Sequence, residues 1–416
     1  MVGGGLAGIS AAIHLAEAGM PCTLFDAAPT LGGRANSFFE PTAAQWVDHG
    51  PHLVMGCYHH LLGLLARAGN SNAIHWQPSL TLALWSADRG HFRLAPSRRL
   101  PLPLAMPLAI GQLPGHNLQS AFALVRLASQ PPADTDQTAL QWLAMLNIPH
   151  TLIRDLIEPL CLGSMNEAIA TANAASFSQV LSQAFTNQHS ARLGWFTRPL
   201  CDALIQPLLH YAKQCGVILQ PRCCIQRLER NHDHWLLIDR LGKTLAPCSQ
   251  LILAVAPSVR DRLLNRTPTA TDTGVISNLH LWFDHPLTLP YPLVGGIGTQ
   301  GQWFIDVNGM MNGNGMAKWH HYCIIMSAEN NPRRESVQPQ LLDELATIAN
   351  DNAPPTHARL VRMAHATHLV RRHNNHPMPH GIIDGAEQPK PGELPATLEL
   401  AVMRGQRAAA RILEHS

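Results

Sequence analysis

Gly3-Gly-Gly5-Leu6-Ala7-Gly8 opens the chain, and its reading decides the fold. The spacing is G-x-G-x-x-G. In a strand–turn–helix unit, Gly3 makes the tight turn and Gly5 lets backbone approach a pyrophosphate. Gly8 lets helix and strand pack closely, while the free N–H groups of the helix start face negative charge. Helix-forming sequence follows from Ile9 to Ala18, closed by Gly19 and then Pro21. Cys22-Thr-Leu-Phe-Asp26 reads as a short strand ending in an acid, where a carboxylate can bind a ribose hydroxyl. The strand that should precede the loop is reduced to Met1-Val2. A central strand so short is expected to weaken or abolish folding, and it reads as a start assigned too late or a clipped sequence.

Leu31-Gly-Gly33-Arg34 comes next, bringing a guanidinium beside the pyrophosphate. With the loop, this shifts the expected dinucleotide from NAD to FAD. At the other end, Pro395-Ala396-Thr397 is expected to begin a helix running to about Leu413. Its free N–H groups carry partial positive charge suited to the negative charge of a reduced flavin ring.

Between these ends the elements alternate in kind. Residues 116–215 look mainly helical, residues 216–256 return to strands, and residues 275–330 alternate apolar and polar as in an antiparallel sheet. The nucleotide-binding strands therefore come in pieces. The expected division is FAD-binding parts at 1–75, 206–265 and 376–416, with a mainly helical substrate segment at 76–205 and its sheet at 266–375. The fold class is α/β: a Rossmann-type, glutathione-reductase-like FAD domain carrying an inserted α+β substrate domain of mixed sheet plus helices.

Composition narrows the partners. Of 416 residues, 14% are charged and 46% are apolar, a lean surface that suits an apolar substrate or a membrane. The net charge of +2 is spread along the chain, which gives no nucleic-acid footprint. The 24 histidines are scattered and no cysteine pair has zinc spacing, so no metal site is expected. No apolar run reaches the 18 residues or so of a spanning helix. Arg98 to Ile110 is rich in Pro and Leu; Pro101, Pro103 and Pro107 argue against a regular membrane helix there. Two arginines above an apolar, Pro-broken loop suit a membrane-dipping entrance.

Together, the loop, the acidic strand end and Gly-Gly-Arg resemble the FAD-dependent amine oxidase and phytoene desaturase superfamily. Within it the chain is similar to the hydroxysqualene dehydroxylases, squalene-associated FAD enzymes of hopanoid synthesis. Val47-Asp-His-Gly50-Pro-His52-Leu-Val-Met-Gly56-Cys-Tyr58 resembles that family's D-N-G-x-H-x-x-x-G-x-Y segment. Glu158-Pro-Leu-Cys161, Asn166, Phe177-Ser-Gln-Val-Leu181, Leu279-His-Leu-Trp282 and Gln302-Trp-Phe-Ile-Asp306 resemble its middle segments. Leu394-Pro-Ala-Thr-Leu-Glu399-Leu-Ala401 resembles its C-terminal P-A-T-x-E-x-A.

The resemblance implies FAD as cofactor and hydroxysqualene, a long apolar isoprenoid, as substrate. It also implies an electron donor and a cytoplasmic location with peripheral contact at the inner face of a bacterial membrane. Ile225 falls in the strand whose backbone meets the adenine. The family's Gly-Asp before the Leu-Pro-Ala-Thr is irregular here: Glu387 is the nearer match and Asp384 the other. His52 is the candidate acid for the departing hydroxyl, because imidazole can hold a proton near neutral pH. Trp142, Leu143, Leu160, Phe177, Phe185, Trp195 and Phe196 are candidate walls of an apolar tunnel. Three readings stand beside this one: a carotenoid-type desaturase, an amine oxidase, and a non-catalytic flavoprotein remnant. An amine oxidase should show an aromatic cage, and aromatics are only 6% of the chain.

Overall fold

The computed structural model describes the chain except residues 246, 269–271, 312–317, 330–336, 373–376 and 415–416. Five parallel strand positions form the nucleotide-binding layer. Thr23–Phe25 pairs with Ile218–Gln220, and Leu251–Leu253 pairs with Ile382–Asp384. Val2 joins the two pairs, bridging Phe25 on one side and Leu253 on the other. Its neighbours are only three residues long, so one well-placed residue completes the ladder. Val2 donates to Ile252, Ala254 donates to the carbonyl of Val2, and Phe25 donates to that of Met1. Val2 thus stands in the place of the first strand and is buried with Leu251, Leu253, Ile225 and Ile382.

The first helix, Leu6–Glu17, and the last, Leu398–Leu413, pack together on this layer. A Cβ on Gly405 would sit 2.2 Å from the carbonyl of Ala7, so only glycine allows this approach. The hydroxyl of Ser10 donates to the Val402 carbonyl across the same contact.

The second layer is a seven-stranded sheet in the order His357–His368, Thr273–Phe283, His320–Ser327, Trp303–Asp306, Leu293–Ile297, Leu82–Ser86, Gly90–Leu94. All pairs are antiparallel except Leu293–Ile297 with Leu82–Ser86. The two Leu82–Leu94 strands come from the segment expected to be mainly helical. Side chains alternate across the pleat. Leu279, Leu281, Phe283, Ile324 and Met326 face the helix Val337–Ala349. The opposite face begins apolar, with Leu293, Ile305 and Cys323 packed on the helical core around Trp142, Leu143 and Phe177. Toward the other edge it carries Asn278, His280, Trp282 and His321.

The stretch expected as a Pro-broken loop contains a ten-residue helix, Leu102–Gly111. Pro101 caps it and Pro103 lies in its first turn, where a missing N–H costs nothing. Pro107 alone sits inside it.

Candidate active site

The glycine loop is built by close packing and one gap. Gly3 has φ +108°, and a Cβ there would lie 2.3 Å from the carbonyl of Ala254. A Cβ on Gly8 would lie 1.9 Å from the carbonyl of Gly3. Gly5 differs: nothing stands within 4 Å of where its Cβ would be. Gly5 is also the N-cap of the Leu6–Glu17 helix, which has no side-chain cap and no acid in its first turn. The unsatisfied N–H groups of Leu6, Ala7 and Gly8 therefore open on clear space, as a pyrophosphate requires.

Asp26 ends its strand beside this loop. Its carboxylate accepts from the N–H of Gly4 at 2.5 Å and from that of Ala28 at 2.7 Å. Gly32 donates to the Gly4 carbonyl, and Gly33, at φ +60°, packs on Gly5. Arg34 follows directly. Its guanidinium donates to the carbonyls of His365 and Ala366 at 3.4 and 3.1 Å. Among the described residues no carboxylate pairs with it, so its charge is available to an anion. The donor set fits FAD: an uncapped helix start, an open glycine and an unpaired arginine.

Two further expectations are refined. The last helix begins at Leu398, so Pro395 and Ala396 precede it and Thr397 is its N-cap, accepting from the Leu400 N–H at 3.2 Å. Pro395 therefore shapes the approach rather than the first turn. Asp384 is held by Arg260 at 2.5 Å and by the Ala386 N–H. That ion pair occupies Asp384, whereas Glu387 has no ion-pair partner among the described residues. Ile225 begins a strand, Ile225–Asn231, and is buried against Val2.

Beyond the loop, the Val47–Tyr58 segment passes under the polar half of the sheet face. Gly50 touches Asn278 so closely that a Cβ would lie 2.7 Å from the amide nitrogen. The Asn278 Oδ1 is buried without a partner among the described residues. His280 Nδ1 lies 3.0 Å from His321 Nε2, and His321 Nδ1 lies 3.4 Å from Gln45 Nε2. With Gln45 donating, His321 carries its proton on Nε2, donates to His280, and leaves the Nε2–H of His280 near the His49 backbone without a well-formed bond. Trp282 stacks on His321 at 4.6 Å and on His357 at 4.9 Å. Burial pushes His280 down to about 4 and holds His321 well below the usual histidine range.

His52 Nδ1 donates to the Gly50 carbonyl, 2.8 Å away. A carbonyl only accepts, so Nδ1 carries the proton. Burial lowers the proton affinity of His52, which makes it a poor acid near neutral pH. Asp48 behaves oppositely. Ser37 and the Leu200 N–H both donate to its Oδ1, at 2.6 and 2.8 Å, yet burial outweighs them and raises its pKa to about 6. Asp48 lines two adjoining cavities. One, of about 90 Å3, includes Gln45, Pro51, Asn308, Met311 and His321; the other, of about 20 Å3, includes His52, Trp195, Phe196, Ile305 and Met310. Neither could hold a thirty-carbon chain. Trp142, Leu143 and Phe177 are packed core rather than tunnel wall; of the expected wall residues, Trp195 and Phe196 reach a cavity.

Residues 6–360 match the sequence profile described as flavin containing amine oxidoreductase. The chain belongs to that family. It is an FAD-dependent oxidoreductase. A hydroxysqualene dehydroxylase from Zymomonas mobilis is 23% identical over 100% of this chain and 99% of its own. Another, from Sinorhizobium fredii, is 25% identical over 73% of this chain and 72% of its own. A 15-cis-phytoene desaturase from Narcissus pseudonarcissus is 22% identical over 70% of this chain and 54% of its own. An oxidoreductase from Methanosarcina mazei shares the fold at a TM-score of 0.75, with 12% identity and 99% of each chain covered.

Asp48, Asn278, His280 and His321 were given no role by the sequence reading. A signal was present: Asn278-x-His280-x-Trp282 puts three polar groups on one face of an otherwise apolar strand.

Proposed function

We propose that this chain reduces hydroxysqualene to squalene. The observation that carries this reading is the likeness, over the whole chain, to a hydroxysqualene dehydroxylase. In the reaction the allylic C–O bond breaks, the oxygen takes a proton and leaves as water, and a hydride closes the carbon. Reduced FAD supplies the hydride when bound, and an electron donor outside this chain restores it.

The chain's own residues do the rest. Helix-start N–H groups and Arg34 hold the pyrophosphate, and Asp26 fixes the loop against its strand. Burial raises Asp48 to about 6, so on this cavity it keeps a proton to higher pH than an ordinary carboxyl, and it takes the place of His52 as the candidate acid. Ser37 and the Leu200 N–H orient that carboxyl. His52, with its proton on Nδ1, helps shape the cavity floor beside Pro51.

Incubating FAD-loaded, reduced protein with hydroxysqualene tests the reading by product analysis. A second reading, a phytoene-type desaturase, is favoured by the plant desaturase likeness. It predicts oxidation of a phytoene-like polyene and no squalene from the alcohol.

A further inference from the structure

The two cavities beside Asp48 differ in what walls them. The smaller, of about 20 Å3, meets His52, Trp195, Phe196, Ile305 and Met310. The larger, of about 90 Å3, meets Gln45, Asn308 and His321 instead. Asp48, Pro51, Val307 and Met311 belong to both, so Asp48 is the ionisable side chain on the shared wall.

The two oxygens of that carboxyl are used differently. Ser37 and the Leu200 N–H both donate to Oδ1, while Oδ2 receives no bond among the described residues. Asp48 as a whole is only 5% exposed. What reaches Oδ2 therefore reaches it through the cavities that Asp48 lines.

The larger cavity is built to hold water. A water needs about 10–15 Å3 and two to four polar partners, so about 90 Å3 has room for several. His321 spends Nε2 on His280, which leaves Nδ1 as an acceptor beside Gln45 Nε2 at 3.4 Å. The Gln45 Oε1 accepts nothing among the described residues. Asn308 is fixed in place: its Oδ1 accepts from the His321 N–H at 2.8 Å and its Nδ2 donates to the Trp319 carbonyl at 3.3 Å. Trp46 forms the outer side. It is 49% exposed and rests edge-on against Phe39, with ring centroids 5.8 Å apart. The cavity thus runs from a half-exposed ring at the surface to a buried carboxyl.

We propose that the larger cavity is a water port that returns a proton to Asp48 after each turnover. The inference rests on the reading of Asp48 as the acid. In that step the Oδ2–H bond breaks as the allylic C–O bond breaks, and the proton leaves with the oxygen as water. The carbon is closed by hydride from reduced FAD. Asp48 is left a carboxylate and regains its proton from solvent along hydrogen-bonded water between Trp46 and Oδ2. Burial keeps His321 neutral, so it accepts from that water and does not supply the proton.

Deuterium exchange at the Asp48 carboxyl tests the port without substrate. Below its pKa of about 6 the protonated group of the holoprotein gives an infrared C=O band, assigned by its loss in Asp48→Asn. Mixing with D2O shifts that band. Gln45→Phe, which sets a ring where the amide lined the cavity, slows the shift roughly tenfold or more. Trp46→Ala, which opens the outer side, does not slow it. Should the ring unfold the hairpin, Gln45→Leu removes the amide without added bulk and slows the shift roughly threefold. Equal exchange in wild type and the Gln45 variants would overturn the proposal. So would a wild-type band that D2O leaves in place, or the absence of any band lost in Asp48→Asn. Exchange that follows the expected pattern in a protein that forms no squalene would sink the reaction and leave the port standing.

Discussion

His280 and His321 share a single hydrogen bond, 3.0 Å from Nδ1 to Nε2, on a sheet face where both rings are buried. Around them stand His49, Glu40, Arg359 and His357, and Glu40 is already paired with Arg359 at 2.5 Å. Nothing there offsets a second positive charge, so both rings stay neutral.

That neutrality has a sign in stability. The folded pKa of His280 lies below the unfolded one, so its contribution is present above about pH 6.5 and is lost as pH falls toward 4. For His280 alone the loss reaches about 2 kcal/mol at pH 5. Tm measured from pH 7 to 5 should fall more steeply for wild type than for His280→Gln. Parallel curves would show that the ring is not buried neutral.

Asp48 should set the alkaline limb of turnover. Held at about 6, it keeps its proton below that pH and releases it above. Turnover should decline as pH rises through about 6, and Asp48→Asn should cost roughly 100-fold or more while retaining FAD. An unchanged rate in Asp48→Asn would remove this carboxyl from the mechanism, and the same measurement on His52→Ala decides between the two.

Gly5 and Gly8 separate binding from folding. Gly8→Ala forces a Cβ into the Gly3 carbonyl and should cost about 1–3 kcal/mol of stability or more. Gly5→Ala meets nothing in the chain, so Tm without cofactor should hold while FAD affinity drops. Equal effects on the two quantities in both variants would contradict the division.

Arg34 donates only to the carbonyls of His365 and Ala366 among the described residues. Arg34→Ala should weaken FAD retention about tenfold, the value of a charged hydrogen bond at ~1.5 kcal/mol. Flavin release followed by fluorescence reads it; wild-type retention would place the guanidinium away from the pyrophosphate.

The nucleotide-binding half was legible because its signals are local. A glycine loop of G-x-G-x-x-G spacing, an acid at a strand end and a proline near a helix start each announce themselves within a few residues. The place of Val2 was not legible because its partners, Phe25 and Leu253, lie far apart in sequence. Leu102–Gly111 was misjudged because Pro101 and Pro103 fall where prolines do no harm. The Asp48–Asn278–His280 neighbourhood stayed hidden for another reason. Two segments more than 200 residues apart in sequence meet there, and the pKa of Asp48 comes from burial that no motif encodes. The acid expected at His52 was the residue the motif displays; its ring turned out to be bonded to the Gly50 carbonyl.

The central claim is the reaction, and anaerobic single turnover tests it most directly. Purified protein, loaded with FAD and reduced, is mixed with hydroxysqualene, and flavin reoxidation and squalene are followed together. Squalene formed in step with reoxidation, one molecule per flavin, is the predicted result. Bound, reduced flavin that stays reduced while hydroxysqualene is recovered unchanged would contradict the account.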